Sequence, residues 1–333
     1  MPNRRPTVSV LVTAFRRREF LLETLRSLER QTAPPGSFEV VVVKDFTDEA
    51  VEREIDANGW KSVHCVDERL GPFITEAVEK CSGDVISFLD DDDLFESGKV
   101  ERVADVFSSH PELGYYHNSA AFINEQGDSI KAPYAFNFST SKEPDGEWMI
   151  EKEEIPSSIN SLIHLRHDFN RSSISVRKEI LMKKLDYSRK MLSAYDSFIF
   201  FSAALGGCSL LVDSRQLTRY RFNRKSVSMS STYSFSRRQI QTYTLMHNMA
   251  LEAGEREIAN LLERQILFFN TINAIHSPIS NRGEVVRAAL SFVTHFNRYS
   301  RLGNTFAGLL SAAYVLSPKL SKSLYSKLTA PEG

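Results

Sequence analysis

The 333-residue sequence has little cysteine, almost no net charge and no long hydrophobic run. Its three cysteines, Cys65, Cys81 and Cys208, are far apart in the chain and odd in number. This excludes a disulfide framework and a paired-cysteine metal site, and it favours a reducing compartment. The formal net charge of -1 gives no overall field that would attract nucleic acid. We therefore expect a cytoplasmic protein without a nucleic-acid partner.

Segments that would direct the chain through a membrane are also lacking. The N-terminal stretch MPNRRPTVSVLVTAF is basic and then apolar, but its apolar run is short and more typical of a strand than of a signal peptide. The longest uncharged stretch, Leu302 to Pro318, contains Asn304. It is shorter than the roughly 20 apolar residues that a spanning helix needs. We expect neither secretion nor a transmembrane helix.

The chain does have a regular alternation of short apolar runs and helical periods from Thr7 to Phe107. The runs TVSVLVT, FEVVVVKD, SVHCV and DVISFL have the length of strands, and amphipathic segments such as REFLLETLRSLERQ separate them. Strands that alternate with crossover helices predict an α/β fold with a mostly parallel, doubly wound sheet flanked by helices. Ligands of such sheets bind beyond the carboxyl ends of the strands.

The pattern changes after Pro111. Two strands are predicted around the turn NEQGD, and residues 132–167 are rich in Ser, Pro and charge, which predicts an irregular segment. From Phe235 onward only helical periods remain. We therefore predict an α/β domain over residues 1–230, divided near residue 110, and a helical extension over residues 231–333.

Four consecutive aspartates, Asp90 to Asp93, follow the strand DVISFL directly. Asp90 and Asp92 leave the strand end toward the same side, because alternate residues of a strand share a face. Carboxylates in this arrangement suit Mg²⁺ or Mn²⁺, which can bridge phosphate oxygens. The alternative is that Asp93 caps the next helix while its neighbours face water. Because adjacent like charges repel one another, the sequence favours a cation site.

Other candidate residues end neighbouring strands at the same predicted edge. Asp45 follows VVVVK, and Thr13, Ala14 and Phe15 end the first strand. Alone, Asp45 is an ordinary turn residue. Beside the aspartate run, it places a hydrogen-bond acceptor where a nucleotide base can lie.

These motifs resemble those of the glycosyltransferase family 2 enzymes, which have the GT-A nucleotide-diphosphosugar transferase fold. The resemblance covers about Thr7 to Ser230, in VSVLVTAFRRREFLLETLRSLERQT, FEVVVVKDFTDE and GDVISFLDDDDLFESGKVE and, more faintly, in SISVRKEIL, AYDSFIFF and YRFNRKSVS. It implies transfer with inversion, using Mg²⁺ or Mn²⁺, from a nucleoside-diphosphate sugar to a saccharide or lipid-linked acceptor. The expected nucleotide is UDP. Residues 1–110 would then form the nucleotide-binding half and residues 111–230 the acceptor-binding half.

The resemblance also implies roles for individual residues. Asp196, in AYDSF, would be the catalytic base, with a helix-capping aspartate as the alternative. Asp92 would hold the metal with support from Asp93. The implied nucleotide-sugar contacts are Thr13, Phe15, Asp45, Asp90, Arg221, Ser226 and Ser228. Three further candidates are chosen from their positions in the chain: Ala14, Arg69 and Asp91. The alternative for Arg69 is a surface salt bridge. Asp91 is expected to be the most replaceable of the four aspartates.

The sequence departs from the family pattern at several positions. Phe46 and Thr47 follow Asp45 where Gly-Ser is common, Asn223 stands where a histidine is frequent, and Tyr195 replaces an acidic residue before the base. Two other functions therefore stay open. A sugar-phosphate nucleotidyltransferase would normally have a glycine-rich loop after the first strand, and TAFRRREF has none. The second open function is that of a glycan-binding or assembly protein that has the same fold but has lost catalysis.

Residues 231–333 combine apolar helical faces with flanking Arg and Lys. Such faces suit a helix that lies on an anionic membrane, where lipid-linked acceptors are found. They suit equally well helices that pack on the first domain or on a second subunit. The sequence leaves both interpretations open, so peripheral association with the cytoplasmic face of a membrane and homo-oligomer formation are alternative expectations.

Overall fold

The computed structural model describes residues 6–34, 36–131, 145–222 and 233–276, together with single positions between 283 and 323. The chain divides into two compact units, Met1–Ser226 and Val227–Gly333. The point of division and the predicted boundary after residue 230 both fall in residues 223–232, outside the described residues. The assignment of a nucleotide-binding and an acceptor-binding half stays a prediction.

The first part of the sheet is parallel, because each strand is joined to the next by a crossover helix. Its strands are β1 (Val8–Ala14), β2 (Phe38–Lys44), β3 (Lys61–His64) and β4 (Val85–Asp90). They lie in the order β3-β2-β1-β4, and each neighbouring pair is parallel. The connecting helices are α1 (Leu21–Glu29), α2 (Glu49–Ala57) and α3 (Leu70–Lys80). The carboxyl ends of these strands therefore meet at one edge of the sheet.

The second part of the sheet is mixed. Its strands are β5 (Leu94–Phe95), β6 (Leu113–Ile123), β7 (Ser129–Ile130), β8 (Glu147–Ile150), β9 (Ile174–Arg177) and β10 (Ser209–Arg221). β9 runs antiparallel between β4 and β6, and β10 is parallel to β6. The helices are α4 (Lys99–Ser109), α5 (Ile155–His164), α6 (Lys178–Met182), α7 (Leu185–Ser188) and α8 (Tyr195–Ala204). A 3-10 turn, Arg171–Ser173, leads directly into β9.

The segment over residues 132–167 contains regular structure in its described part. β8 pairs with β10, and α5 follows it. Pro156 lies in the first turn of α5, where its missing N–H needs no partner. Ile155, Ile159 and Leu162 are buried at helical spacing. The prediction of an irregular segment was wrong here because it gave the proline and the polar residues more weight than this apolar period.

The core of the first unit lies between the sheet and its helices. Every residue of β1 is buried, and the four valines at positions 40–43 of β2 are at most 1% exposed. Parallel strands covered by helices on both faces read as continuous apolar runs, which explains why these strands were recognisable in the sequence. On α1, Leu21, Leu25 and Leu28 form one buried face that packs in this core.

At the amino-terminal edge of the parallel sheet, several hydrogen-bond donors surround one carboxylate, that of Glu39 on β2. Its Oε2 accepts hydrogen bonds from Lys61 Nζ at 2.6 Å and Ser82 Oγ at 2.8 Å. Its Oε1 accepts from Ser9 Oγ and from the backbone N–H groups of Ser82 and Gly83. Burial raises the pKa of Glu39, but the hydrogen bonds from Lys61, Ser9 and Ser82 outweigh it and hold the pKa at about 2.

The second unit is helical in its described part. α9 (Tyr233–Glu252) and α10 (Arg256–His276) pack against each other across a turn at Gly254, whose φ is 78°. Met246, Met249, Ile258 and Leu262 are buried. No helix in the described part of the chain is long and apolar enough to cross a membrane. The predicted roles of residues 231–333, on a membrane surface or at a subunit interface, stay predictions.

Candidate functional site

Thr13 and Asp90 are brought together at the carboxyl edge of the sheet by the pairing of β1 with β4. They are register partners, and Thr13 Oγ1 donates to Asp90 Oδ1 at 2.9 Å. Arg171, from the turn before β9, contacts both: its Nε donates to Asp90 Oδ1 at 2.9 Å and its Nη2 to Thr13 Oγ1 at 3.0 Å. Three segments that are distant in sequence therefore meet in one hydrogen-bonded group.

Asp91 and Asp92 converge on a second arginine, Arg17. This residue lies in the loop between β1 and α1, and its Nη2 and Nη1 are 2.5 Å from Asp91 Oδ1 and Asp92 Oδ2 respectively. The two carboxylates are nearly buried, with side-chain exposures of 4% and 11%, whereas that of Arg17 is 40%. The guanidinium thus reaches the carboxylates from the solvent side. These residues line a cavity of about 370 Å³ together with Arg16, Arg18 and Phe20.

Burial disfavours the ionised form of three carboxyl groups in the aspartate run. Burial raises the pKa of Asp91 to about 8, although Arg17 acts in the opposite direction. Burial also raises the pKa of Asp92 and that of Asp93, whose Oδ2 is buried without a hydrogen-bond partner. Buried and closely spaced carboxylate oxygens fit a hard divalent cation, which favours their ionised form. The predicted metal ligand Asp92 is 8% exposed, and Asp93, its predicted support, is 1% exposed.

No three Asp, Glu, His or Cys side chains converge to hold a metal in the part of the chain that the structure describes. The carboxylates of Asp90, Asp91 and Asp92 face arginines instead. In this structure the arginines, rather than a metal cation, reduce the repulsion between the carboxylates. Metal binding by Asp92 and Asp93 therefore stays a prediction.

The backbone of the aspartate run is fixed from two sides. Thr24 Oγ1, on α1, lies 3.0 Å from the carbonyl oxygen of Asp91 and 2.9 Å from that of Asp93. On the other side, Arg221 at the end of β10 donates its backbone N–H to Asp93 Oδ1 and its Nε to the carbonyl oxygen of Asp92, both at 2.8 Å. Since loops with such contacts are held in one conformation, the run is presented on a rigid frame.

Arg221 is buried, at 2% exposure, and its remaining donors also contact protein. Nη1 donates to the carbonyl oxygens of Asn124 and Glu125, and Nη2 forms an ion pair with Glu23 at 2.7 Å. In this structure the side chain supports the aspartate run from below. The predicted diphosphate contact of Arg221 stays a prediction, and Ser226 and Ser228 lie outside the described residues.

The other predicted nucleotide contacts differ in how they are placed. Asp45 Oδ1 accepts the backbone N–H of Arg16 at 2.9 Å, which ties the end of β2 to the arginine loop. Phe15 packs edge-to-face on Phe73 with ring centroids 5.0 Å apart, and Ala14 is fully buried. Arg69 is exposed and forms an ion pair with Asp67 at 2.7 Å. This is the kind of surface salt bridge predicted from the sequence as the alternative to a nucleotide contact.

Asp196 lies in the first turn of α8, two residues after Ala194, whose φ is 46°. The residue at the N-cap position is Ala194, so Asp196 is not the N-cap. Burial and the nearby charge of Asp168 raise the pKa of Asp196 to about 6. Asp168 is buried, and its Oδ2 accepts from Ser197 Oγ at 2.9 Å, beside Asp196 in the chain. No local sequence signal points to Asp168, because only the tertiary fold brings it to α8.

Backbone strain is concentrated in the same segments. In the described part of the chain, the non-glycine residues with positive φ are Arg16, Arg166, Asn170 and Ala194, with φ between 46° and 64°. Arg16 precedes Arg17, Arg166 and Asn170 flank Asp168, and Ala194 precedes Asp196. Conformations of this kind cost free energy and tend to occur where a site must be held in a particular geometry.

The fold is that of solved glycosyltransferases. TarS 1-349 of S. aureus, in complex with UDP-GlcNAc, superposes with a TM-score of 0.56 at 15% identity, covering 94% of this chain and 81% of that one. Mannosyltransferase PcManGT from Pyrobaculum calidifontis, in complex with GDP-Man and Mn²⁺, gives 0.53 at 13% identity, covering 98% and 89%. At these identities the likeness shows the fold alone. The predicted GT-A fold is confirmed.

The sequence comparison gives the family. Residues 9–172 match the family described as Glycosyl transferase family 2. This match covers just under half of the chain, and it confirms the resemblance drawn from the motifs.

Individual relatives match only in part. A glucosyl-dolichyl phosphate glucuronosyltransferase of Haloferax volcanii is 33% identical over 112 residues, which are 32% of this chain and 35% of that protein. The poly(ribitol-phosphate) beta-N-acetylglucosaminyltransferase TarS of Staphylococcus aureus is 24% identical over 267 residues, covering 78% and 42%. The matched regions thus span less than half the length of these curated relatives.

Proposed function

We propose that the chain transfers a sugar, with inversion, from a UDP-sugar to a hydroxyl of a saccharide or lipid-linked acceptor, using Mg²⁺ or Mn²⁺. One observation carries this proposal. Arg171 contacts Thr13 and Asp90 at the nucleotide edge of the sheet, and its charge also acts on Asp196. The charge of Arg171 thus links the candidate base electrostatically to the candidate donor site, which supports a direct displacement.

The donor would lie along the ends of β1, β2 and β4. Asp45 offers an acceptor for the base, Phe15 an apolar wall, and Asp90 a carboxylate for a ribose hydroxyl. TarS and PcManGT were solved with UDP-GlcNAc and GDP-Man. Both are nucleoside-diphosphate sugars, which supports this donor class. The arginine loop after β1 lacks glycine, which disfavours the nucleotidyltransferase alternative.

The departing diphosphate needs positive charge around it. Asp92, with support from Asp93, would hold the divalent cation, which when bound stabilises negative charge on the diphosphate oxygens. Arg16 and Arg17 follow Phe15 after the end of β1 and add positive charge beside the cavity. Preorganised charge of this kind is usually the largest contribution to such a reaction.

Asp196 would accept the proton from the attacking hydroxyl. With a pKa of about 6 it is ionised at neutral pH, yet it is a stronger base than an ordinary aspartate. The acceptor oxygen then bonds to the anomeric carbon while the bond from that carbon to the diphosphate oxygen breaks. The proton stays on Asp196 until solvent removes it, and no covalent glycosyl-enzyme forms.

The test is a panel of nucleotide-sugars incubated with the full chain and Mn²⁺ or Mg²⁺, with release of the nucleotide measured. We expect slow hydrolysis of at least one UDP-sugar and its loss on chelation of the cation. Binding of UDP in the presence of Mn²⁺ is measured by calorimetry as well, because a degenerate scaffold would show no metal-dependent binding of the nucleotide. Absence of both nucleotide binding and hydrolysis would refute the proposal.

A further inference from the structure

The Arg17 side chain occupies the position between Asp91 and Asp92, next to where the proposed cation must bind. Its two terminal nitrogens each contact one carboxylate at 2.5 Å. Charge-assisted contacts of this two-pronged kind are among the stronger hydrogen bonds in proteins. A cation that uses Asp92 therefore has to replace at least one of them.

The contact is also incomplete as a source of positive charge. Asp91 and Asp92 are nearly buried, with side-chain exposures of 4% and 11%, and a single guanidinium contacts both of them. A divalent ion would bring two positive charges to this pair of carboxylates, whereas the guanidinium brings one. Arg17 itself is 40% exposed in its side chain, so it can leave the carboxylates without unpacking the core.

A diphosphate would give the displaced guanidinium a new partner. Arg17 lies in a loop of three arginines whose backbone is held to β2 by the bond from Arg16 N–H to Asp45 Oδ1 at 2.9 Å. Phosphate oxygens match the fork of a guanidinium as carboxylate oxygens do. The side chain can therefore exchange one pair of anionic partners for another while the loop stays in place.

We propose that Arg17 is an internal competitor of the divalent cation, holding Asp91 and Asp92 until a nucleoside diphosphate is present to receive its guanidinium. This inference rests on the proposed function, because it presupposes a cation and a diphosphate donor. Its consequence is that cation and nucleotide bind cooperatively. Cooperativity is reciprocal, so each raises the affinity of the other by the same factor.

The test is calorimetric titration of Mn²⁺ into the full chain, with and without saturating UDP. Three proteins are compared: the natural chain, Arg17→Ala and Arg18→Ala. Arg18→Ala is the matched control, because it removes the same charge from the same loop, but Arg18 is exposed and lies 4.0 Å from Asp48 instead of contacting the aspartate run. Arg17→Lys is the second variant, since it keeps the charge and loses the fork.

Without UDP, we expect Arg17→Ala to bind Mn²⁺ roughly tenfold more tightly than the natural chain, since two charge-assisted contacts no longer compete. The increase in Mn²⁺ affinity caused by UDP should be smaller in Arg17→Ala than in the natural chain. Arg18→Ala should behave as the natural chain does, and Arg17→Lys should lie between the two.

Equal or weaker Mn²⁺ binding by Arg17→Ala without UDP overturns the inference while leaving the proposed function intact, provided that the natural chain binds Mn²⁺ with UDP. An equal gain in Arg18→Ala also overturns it, because the effect would then be one of overall charge. Absence of Mn²⁺ binding in every protein, with UDP present, overturns both this inference and the proposed metal dependence.

Discussion

The amino-terminal and carboxyl-terminal edges of the same parallel sheet both carry acidic groups, which are partly buried at the amino edge and mostly buried at the carboxyl edge. At the amino edge, Glu39 accepts hydrogen bonds from Lys61, Ser82 and their neighbours, and its pKa is held at about 2. At the carboxyl edge, burial raises the pKa of each of Asp91, Asp92 and Asp93. The ionised carboxylate is stabilised at the amino edge, whereas burial disfavours the ionised form at the carboxyl edge.

The difference separates stability from function. A carboxylate with a lowered pKa stabilises the folded state, whereas carboxylates with raised pKa values reduce its stability. Groups that lower stability are retained where a ligand uses them. The carboxyl edge is therefore the one expected to gain most from binding a cation, and variants at the two edges should affect different measurements.

The largest expected effect is on activity at the carboxyl edge. Asp92→Asn should lower the rate of sugar transfer by roughly 10³-fold, because charge stabilisation at the diphosphate is lost. The same change should leave the melting temperature unchanged or raise it, since it removes a buried charge. Transfer assays measure the effect on activity, and thermal unfolding measures the effect on stability. Asp56→Asn, at an exposed position, is the control. A large fall in melting temperature would contradict the comparison.

The next effect concerns the proposed base. Asp196→Asn should lower the transfer rate by about 10²- to 10⁴-fold while UDP affinity stays close to that of the natural chain. Single-turnover transfer and UDP titration measure the two quantities separately. Asp186→Asn, on the exposed side of α7, is the matched control. Unimpaired transfer in Asp196→Asn would show that another group is the base.

A smaller effect is expected on the pH profile. Asp196 must be ionised to accept a proton, so activity should be present above pH 6 and fall as the pH drops through the pKa of about 6. Asp168 raises this pKa, so Asp168→Asn should move the acid limb of the profile to lower pH. The limb should stay in place in Asp186→Asn. An unchanged limb in Asp168→Asn would show that Asp168 does not tune the base.

The smallest effect is on stability at the amino edge. Glu39→Gln should lower the free energy of unfolding at pH 7 by about 2 kcal/mol, because charge-assisted hydrogen bonds are lost. The folded pKa of about 2 lies below the ordinary value of 4.5, so the contribution is complete above pH 4.5 and disappears as the pH falls toward 2. Urea unfolding at pH 7 and pH 3 measures it, with Glu76→Gln, on the exposed face of α3, as control. An equal loss at both pH values would contradict this account.

The parallel half of the fold was predictable because its signals are local. Runs such as VVVV in β2 are buried on both faces, and the aspartates that follow β4 mark the ligand edge. The positions of Thr13, Asp45 and Asp90 at that edge follow from strand order alone. The resemblance to glycosyltransferase family 2 follows from the same motifs.

The partners of these residues were not predictable, because they depend on contacts between distant segments. Arg17 meets Asp91 across 74 positions, and Arg171 meets Thr13 across 158. The direction of a long side chain is not encoded by the period of the segment that carries it. For the same reason Arg221, predicted at the diphosphate, is found buried beneath the aspartate run. Asp168 and Thr24 were missed because their roles exist only in the folded chain.

The contacts of Thr24 and Arg221 with the backbone of the aspartate run have a consequence for the entropy of ligand binding. Because this backbone already has its hydrogen-bond partners, a ligand that arrives at the edge has only side chains to order. Fixing a side chain costs less than fixing backbone dihedral angles as well. The free energy of contact with the donor can then contribute almost entirely to affinity, because none of it is needed to order the backbone of the site.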